Sequence, residues 1–372
     1  MNVLMTSTSF PRDPSDWKGL FIYHMAAALA RDSRVSLQLW APPGVLPNRV
    51  VFANSQSESA RLSRLMDAGG ISHLLRMRPI AGTWEAFALL RMLGDIYRRS
   101  IDVSLYHVNW LQCALPLPSD GKPALITVLG NDMKLLQKPL VRPALRRAMR
   151  GRKVAICPNA EWMEQPLRTA FGDVAEVVPV PFGIDPQWYA IDRRLENTPR
   201  IWLAVTRLTA AKLGPLFQWS QSLFANGERE LHLFGPKQED MDIPPWVHYH
   251  GSTTATQLSQ DWFPRAHGLI TLSRHAEGRP QVMLEAMAAG LPIIASKMPA
   301  HEDIVSGNIT GALVGSPSDY ERELVALEDM GTNMRMGAAA RALVARRMGT
   351  WNDCAARYVK IYLRLLGTNP DG

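Results

Sequence analysis

Two glutamates, Glu277 and Glu285, are separated by seven residues in the segment SRHAEGRPQVMLEAMAAGLPIIAS, residues 273–296. The apolar run HGLITLS leads into this segment, Pro280 suits the first position of a helix, and the helix pattern closes near Gly290. A helix start aims its free N–H groups, here those of Gln281, Val282 and Met283, at whatever lies before it. Together with the positive end of the helix dipole, these groups make an anion site suited to a phosphate. Glu285 lies one turn further in, among Met, Leu and Ala, where a solvated carboxylate is out of place. Each glutamate also has a plain alternative: Glu277 as an N-terminal cap near the dipole, Glu285 as an ordinary exposed helix residue.

The elements that must position these groups alternate along the whole chain. Short apolar runs occur at 2–6, 35–40, 103–107, 124–129, 154–157 and 176–180, then at 201–205, 231–234, 247–250, 268–272, 292–295 and 312–314. Helical patterns such as FIYHMAAALARD and WEAFALLRMLGDIYRR separate several of them. Continuous rather than alternating apolar runs, interleaved with helices, predict α/β architecture with parallel sheets covered on both faces. Two such series predict two doubly wound, Rossmann-like domains. The stretch VPVPFGIDPQWYAIDRRLENTPR interrupts both periodicities and places the boundary between residues 1–186 and 187–350. The last amphipathic stretch, WNDCAARYVKIYLRLL, opens a segment 351–372 with no strand after it, which must pack on an existing surface.

Composition narrows the chemistry. At 372 residues, with 47% hydrophobic and 20% charged residues, the chain is an ordinary globular protein too large for one core. Three widely spaced cysteines, Cys113, Cys157 and Cys354, suit a reducing compartment and argue against a disulfide framework or a thiolate zinc site. No apolar run approaches the roughly 20 residues of a spanning helix, and the N-terminus lacks the pattern of a signal peptide. These features predict a cytoplasmic protein, peripheral on a membrane at most. The net charge of +7 lies entirely in residues 1–186, which hold 22 Lys+Arg against 15 Asp+Glu. Neither a G-x-G-x-x-G after the first strand nor a G-x-x-x-x-G-K-[ST] occurs, which speaks against nicotinamide and P-loop enzymes. Asp240 and Asp242 form an Asp-x-Asp in a loop with no further ligand nearby, and the nine histidines show no metal-ligand spacing, so no metal site is expected.

The pattern S-x3-EG-x-P-x3-LEAMA-x-G-x-P-x2-AS resembles the retaining glycosyltransferases of family 4, glycosyl transferases group 1, which have the GT-B fold. Other stretches resemble that family in order: FPRDPSDWKGLFIYHMAAALA its first loop, VVPVPFGID the end of its N-terminal domain and TRLTAAKLGP its basic donor motif. LHLFGP and WVHYHGS resemble its next two strands, and 351–366 its returning C-terminal helix. The resemblance implies two Rossmann-like domains facing a cleft, the first on the acceptor side and the second binding a nucleotide sugar of UDP or GDP type, with no cofactor. It implies that Arg207 and Lys212 clamp the donor diphosphate, aided by Gly278 and the helix start at Gln281, Val282 and Met283. Glu285 would accept from the ribose hydroxyls, and the turn at Gly251 would lie near the base. Gly19 would let the first loop approach the leaving diphosphate. Glu277 would be the catalytic residue beside the reacting carbon. Many relatives carry a histidine where this chain has Leu129, so sugar or acceptor contacts are assigned to the candidates His107 and Asp132, each with a core or capping role as its alternative.

The expected reaction is metal-independent transfer of a sugar, with retention, to a glycan or lipid-linked acceptor in cell-surface polysaccharide biosynthesis. The alternatives are a sugar-nucleotide epimerase or hydrolase of the same fold and a basic nucleic-acid-binding protein. The last lacks interleaved aromatics on basic strands, so no nucleic-acid partner is expected. Residues 134–153 hold eight Lys+Arg and no Asp or Glu. On one helix, Leu140, Val141, Ala144, Leu145, Ala148 and Met149 fall opposite Arg142, Arg146, Arg147, Arg150 and Lys153. That layout predicts an anionic membrane surface as a partner, with a core-facing helix as the alternative.

Overall fold

The computed structural model describes residues 1–13, 16–195 and 199–368. The chain forms two units, Met1–Phe182 with Trp351–Gly372, and Gly183–Thr350. The division falls at Phe182/Gly183, inside the proline-rich stretch.

The first unit is built on a parallel sheet of seven strands: β1 (Asn2–Thr6), β2 (Ser36–Trp40), β3 (Val50–Phe52), β4 (Leu105–Asn109), β5 (Ala124–Val128), β6 (Val154–Pro158) and β7 (Glu176–Val177). Their order is β3-β2-β1-β4-β5-β6-β7. Every residue of β4, β5 and β6 is buried, which is why these runs are continuous rather than alternating. Side chains still alternate between two cores: Leu4 packs with Trp40 and Tyr106 on one face, Val3 and Met5 with Ile22 and Tyr358 on the other. The run expected at 176–180 is a regular strand only at Glu176–Val177, although the Val178 and Val180 N–H groups still donate to the Ile156 and Pro158 carbonyls of β6, each at 2.9 Å; Pro179, which lacks an N–H, falls between these two donors. Strand β3, three residues at the sheet edge, is absent from the sequence-based expectation.

Helix Trp351–Leu366 belongs to this unit and buries Cys354, Tyr358, Val359 and Tyr362 in the second core. All three cysteines are buried, and none forms a disulfide. Residues 134–153 do not form one helix. A 3₁₀ segment, Gly130–Gln137, is followed by a nine-residue α-helix, Val141–Met149. Leu145 and Met149 are fully buried in the first core and Val141 packs against it, so this edge of the helix faces the protein, while Leu140 and Ala144 of the predicted apolar half are exposed.

The second unit carries six parallel strands: β8 (Arg200–Val205), β9 (Arg229–Phe234), β10 (Val247–Gly251), β11 (Gly268–Thr271), β12 (Ile293–Ser296) and β13 (Gly311–Val314). Their order is β10-β9-β8-β11-β12-β13. The order reverses direction between β1 and β4 in the first sheet and between β8 and β11 in the second. In open parallel sheets, the loops leaving the two strands at such a point diverge to opposite faces and open a crevice where ligands bind.

Candidate functional site

In the second unit, the loops leaving β8 and β11 hold the predicted residues. Gly214 has φ +55, and a Cβ there would run into the carbonyl oxygen of Leu272. The Arg274 N–H donates to the Ala211 carbonyl at 2.8 Å. This close approach of the two loops brings Lys212 Nζ to 2.5 Å from Glu277 Oε1, with both side chains largely buried. Burial pulls the Lys212 ammonium below the ordinary lysine value; Glu277 opposes that shift and the neighbouring Arg207 charge reinforces it. Ser273 Oγ also donates to Glu277 Oε1, at 3.3 Å. Arg207, Lys212 and Glu277 thus form one charged cluster.

The helix after this loop spans Gln281–Ala288 with Pro280 as its N-cap, ψ 119°, rather than its first helical residue. Moving the helix start by one residue changes which N–H groups are available. The Met283 N–H donates to the Pro280 carbonyl at 3.2 Å. Gln281 and Val282 keep N–H groups with no backbone partner among the described residues. The buried Arg279 pairs with Asp303, its Nε donating at 2.9 Å, which holds the loop between the buried Gly278 and Pro280.

Gln281, Val282 and Glu285 are half-buried, while Met283, Leu284, Ala286, Met287 and Ala288 are buried. The accessible stripe of this helix therefore starts at its open N–H groups and ends at Glu285. Gln281 Nε2 donates to the Gly183 carbonyl at 2.9 Å. Burial pushes the Glu285 carboxyl up to about 7, and the Asp185 charge adds to the shift. Gly251, φ +71, ends β10, and its carbonyl accepts from the Gly235 N–H at 2.7 Å. Asp240 and Asp242 are exposed loop residues.

In the first unit, Gly19 has φ +72 and precedes helix Leu20–Arg31. A Cβ there would lie 2.8 Å from the Phe10 nitrogen and the Ser9 carbonyl carbon, so the loop's own packing requires glycine. The two acceptor-side candidates take their alternative roles. His107 is fully buried, with Nδ1 2.5 Å from Tyr362 Oη and Nε2 2.8 Å from Thr127 Oγ1. Burial lowers its pKa to about 3, and it is a neutral core residue with both nitrogens engaged. Asp132 accepts from the Leu129 N–H at 2.8 Å and the Leu111 N–H at 3.3 Å, while burial raises its pKa to about 7. It ties two loop starts together and has no face for an acceptor.

Two residues at these loops were not legible in the sequence. His301 is fully buried, with Nδ1 2.9 Å from the Ser296 carbonyl oxygen and Nε2 unpartnered, and the charges of Glu277 and Lys212 act on it. Trp110, directly after β4, has φ +70, a conformation rare for a bulky residue. Only the fold brings either residue to a switch point.

Comparison with known proteins agrees with this architecture. Residues 215–329 match the family described as glycosyl transferases group 1. A D-inositol 3-phosphate glycosyltransferase from Streptomyces bingchenggensis is 28% identical over 243 residues, 64% of this chain and 48% of that protein, so the match spans about half the relative's length. The sucrose-phosphate synthase of Thermosynechococcus elongatus superposes with a TM-score of 0.71 at 16% identity, covering 98% of this chain and 99% of that one. Anabaena HepE, solved with UDP and glucose, gives 0.62 at 13% identity, covering 96% and 98%. The chain has the GT-B fold and resembles, through residues 215–329, the glycosyl transferases of group 1.

Proposed function

We propose that the protein is a retaining glycosyltransferase that moves a sugar from a nucleoside-diphosphate sugar to a glycan or lipid-linked acceptor in cell-surface polysaccharide biosynthesis. The observation that carries this reading is the Arg207–Lys212–Glu277 cluster at the β8/β11 switch point, beside a helix with open N–H groups and, one turn in, the Glu285 carboxyl, whose pKa burial raises. Arg207 and Lys212 bind the diphosphate, Arg as a planar fork and Lys as a point charge. The Gln281 and Val282 N–H groups take phosphate oxygens, and the Glu285 carboxylate accepts from ribose hydroxyls. Glu277 holds the sugar beside the reacting carbon and keeps Lys212 oriented. As the glycosidic C–O bond breaks, the negative charge left on the departing diphosphate meets fixed cations and a helix dipole. The acceptor hydroxyl attacks from the face that the diphosphate leaves, and its proton passes to the leaving phosphate oxygen. The UDP and glucose bound by Anabaena HepE favour a UDP-type donor.

Because protein groups supply the charge at the diphosphate, turnover is expected to survive chelation. The assay follows nucleoside-diphosphate release from UDP- and GDP-sugars with and without an acceptor, in excess EDTA and in added Mg²⁺ or Mn²⁺. Activity that vanishes in EDTA and returns with metal refutes the metal-independent step. Fast release of free sugar or an epimer without acceptor favours an epimerase or hydrolase on the same scaffold.

The acceptor reading includes an anionic membrane surface, met by the first unit. With Val141, Leu145 and Met149 packed on the core, residues 134–153 contribute a basic groove of about 550 Å³ lined by Lys138, Arg142, Arg146 and Arg150, with Leu140 exposed beside its start. A second surface of the same unit has the chemistry the sequence assigned to that helix. Along helix Pro79–Arg99, Ile80, Trp84 and Phe87 are 79%, 73% and 64% exposed, one helical turn apart, with Arg76, Arg78 and Arg91 flanking them. An exposed indole and phenyl ring bordered by arginines suit the headgroup boundary of an anionic bilayer. No helix among the described residues is long and apolar enough to cross a membrane. Co-sedimentation with phosphatidylglycerol vesicles is expected at low salt, lost with neutral vesicles, and reduced in both Trp84→Ala/Phe87→Ala and Lys138→Ala/Arg150→Ala. Binding indifferent to lipid charge and to both double variants sinks the membrane reading.

A further inference from the structure

A cluster of imidazoles lies on the β9–β10 edge of the second unit, next to the Gly251 turn but apart from the charged residues assigned to the donor diphosphate and ribose. Glu230 and His232 are alternate residues of β9, and His248 and His250 alternate residues of β10, so each pair projects from one face of its strand. The parallel register sets His248 opposite His232. One carboxylate oxygen of Glu230 and one ring nitrogen each of His232 and His248 all lie within 4.8 Å of one another. We propose that Glu230, His232 and His248 bind one divalent transition-metal ion of zinc type. Such a site departs from the expectation, drawn from spacing along the chain, that the histidines form no metal-ligand set.

The donor set is the first argument. Two neutral imidazoles and a carboxylate suit zinc and its neighbours, at about 2.0–2.2 Å from each ligand atom. His232 Nε2 already lies 2.9 Å from Glu230 Oε2, the separation of two atoms that can share one ion after a small adjustment. The rings of His232 and His248 are stacked at 4.8 Å with 14° between planes. His248 and Glu230 reach solvent, so an ion has a route in and coordination positions left for water.

The surroundings of His232 are the second argument. A ligand histidine is usually oriented by donating its other ring N–H to a neighbouring acceptor. His232 Nδ1 has that neighbour, His250 Nε2, at 2.9 Å. With the ion on Nε2, the His232 proton sits on Nδ1 and donates a hydrogen bond to His250 Nε2, whose own proton is on Nδ1; both rings stay neutral and only their tautomers are fixed. Trp262 packs against His232 at 4.5 Å and His250 at 4.7 Å between ring centroids, holding both rings in place. The ion would clip the edge strand β10 to β9, just before the Gly251 turn, and its role is structural.

The test uses the full-length protein stripped with chelator, dialysed against zinc or cobalt, and measured for bound metal and for cobalt d–d absorption. Wild type is expected to hold about one equivalent, with visible cobalt bands and a higher thermal midpoint in zinc. His248→Ala, at an exposed position that leaves the core intact, is expected to lose the ion and the zinc-dependent gain. His250→Ala is expected to weaken affinity by about 10- to 100-fold. No stoichiometric metal in wild type, or the same metal content in Glu230→Gln/His248→Ala, overturns the site. Because the readout is metal content, its failure leaves the transferase reading untouched.

Discussion

Lys212→Ala is expected to lower kcat/KM for the nucleotide-sugar donor by about tenfold to a hundredfold without unfolding the protein. A lost hydrogen bond to a charged group costs about 1.5–3 kcal/mol, and about 1.4 kcal/mol is a factor of ten in rate. Arg207→Ala is expected to act in the same direction. The 2.5 Å pair between Lys212 and Glu277 adds a condition that the chain order does not contain. Removing either partner leaves the other largely buried and uncompensated, so each single variant loses more than its own contact. The Lys212→Ala/Glu277→Ala double variant is therefore expected to lose less than the product of the single effects, with a coupling of about 0.5–3 kcal/mol. Steady-state kinetics on the four proteins, with circular dichroism as the folding control, measure this. Wild-type kinetics in both lysine and arginine variants would remove the cluster from the donor site, and strict additivity would remove the ion pair from the mechanism.

The two glutamates are expected to fail differently. Glu285→Ala removes ribose contacts made in both ground and transition states, so donor KM rises, by about 10- to 100-fold, with kcat little changed. Glu277→Ala removes a group beside the reacting sugar, so kcat falls most. Glu285 also carries a pH signature. Its carboxyl is pushed up to about 7, so in the free protein it is mostly neutral at pH 6 and mostly ionised at pH 8. Ribose hydroxyls donate to the ionised form, so binding nucleoside diphosphate below pH 7 must first release a proton. Affinity is expected to rise through pH 7 by up to about tenfold per pH unit on the acid side. Glu285→Gln, which cannot ionise, is expected to show no such rise. Calorimetric titrations with UDP and GDP at pH 6 and pH 8 measure both arms. Equal affinity of wild type and Glu285→Ala for either diphosphate would end the ribose assignment.

Much of the architecture is legible in the chain because burial on both faces of a sheet leaves a local record. Runs such as ALITV and VAICP, apolar at nearly every position, are strands β5 and β6, whose residues are all buried. The amphipathic stretch 351–366 is a helix over the same residues. Strand β3 leaves no such record, since three edge residues carry no period. The glycines Gly19 and Gly214 mark loops under close contact, but the atoms they admit belong to Ser9, Phe10 and Leu272, and only the fold names them.

Side-chain roles divide along the same line. Lys212 and Glu277 can be singled out by type and motif, yet their pairing depends on β8 and β11 being neighbours, which 64 intervening residues do not reveal. His107 and Asp132 have the right chemistry for a site, and tertiary burial spends it on Tyr362, Thr127 and two loop N–H groups. The arginines and apolar residues of 141–149 predict an amphipathic helix equally well for a core or a membrane, because a hydrophobic period reports that one face is covered and not by what. The histidines of β9 and β10 have no spacing along the chain that signals a metal, and the parallel register alone sets His232 against His248. Local periodicity and turn chemistry act over a few residues and are written in the sequence. Strand order, register and the choice of covering face are cooperative properties of the whole packed unit, and only tertiary structure decides them.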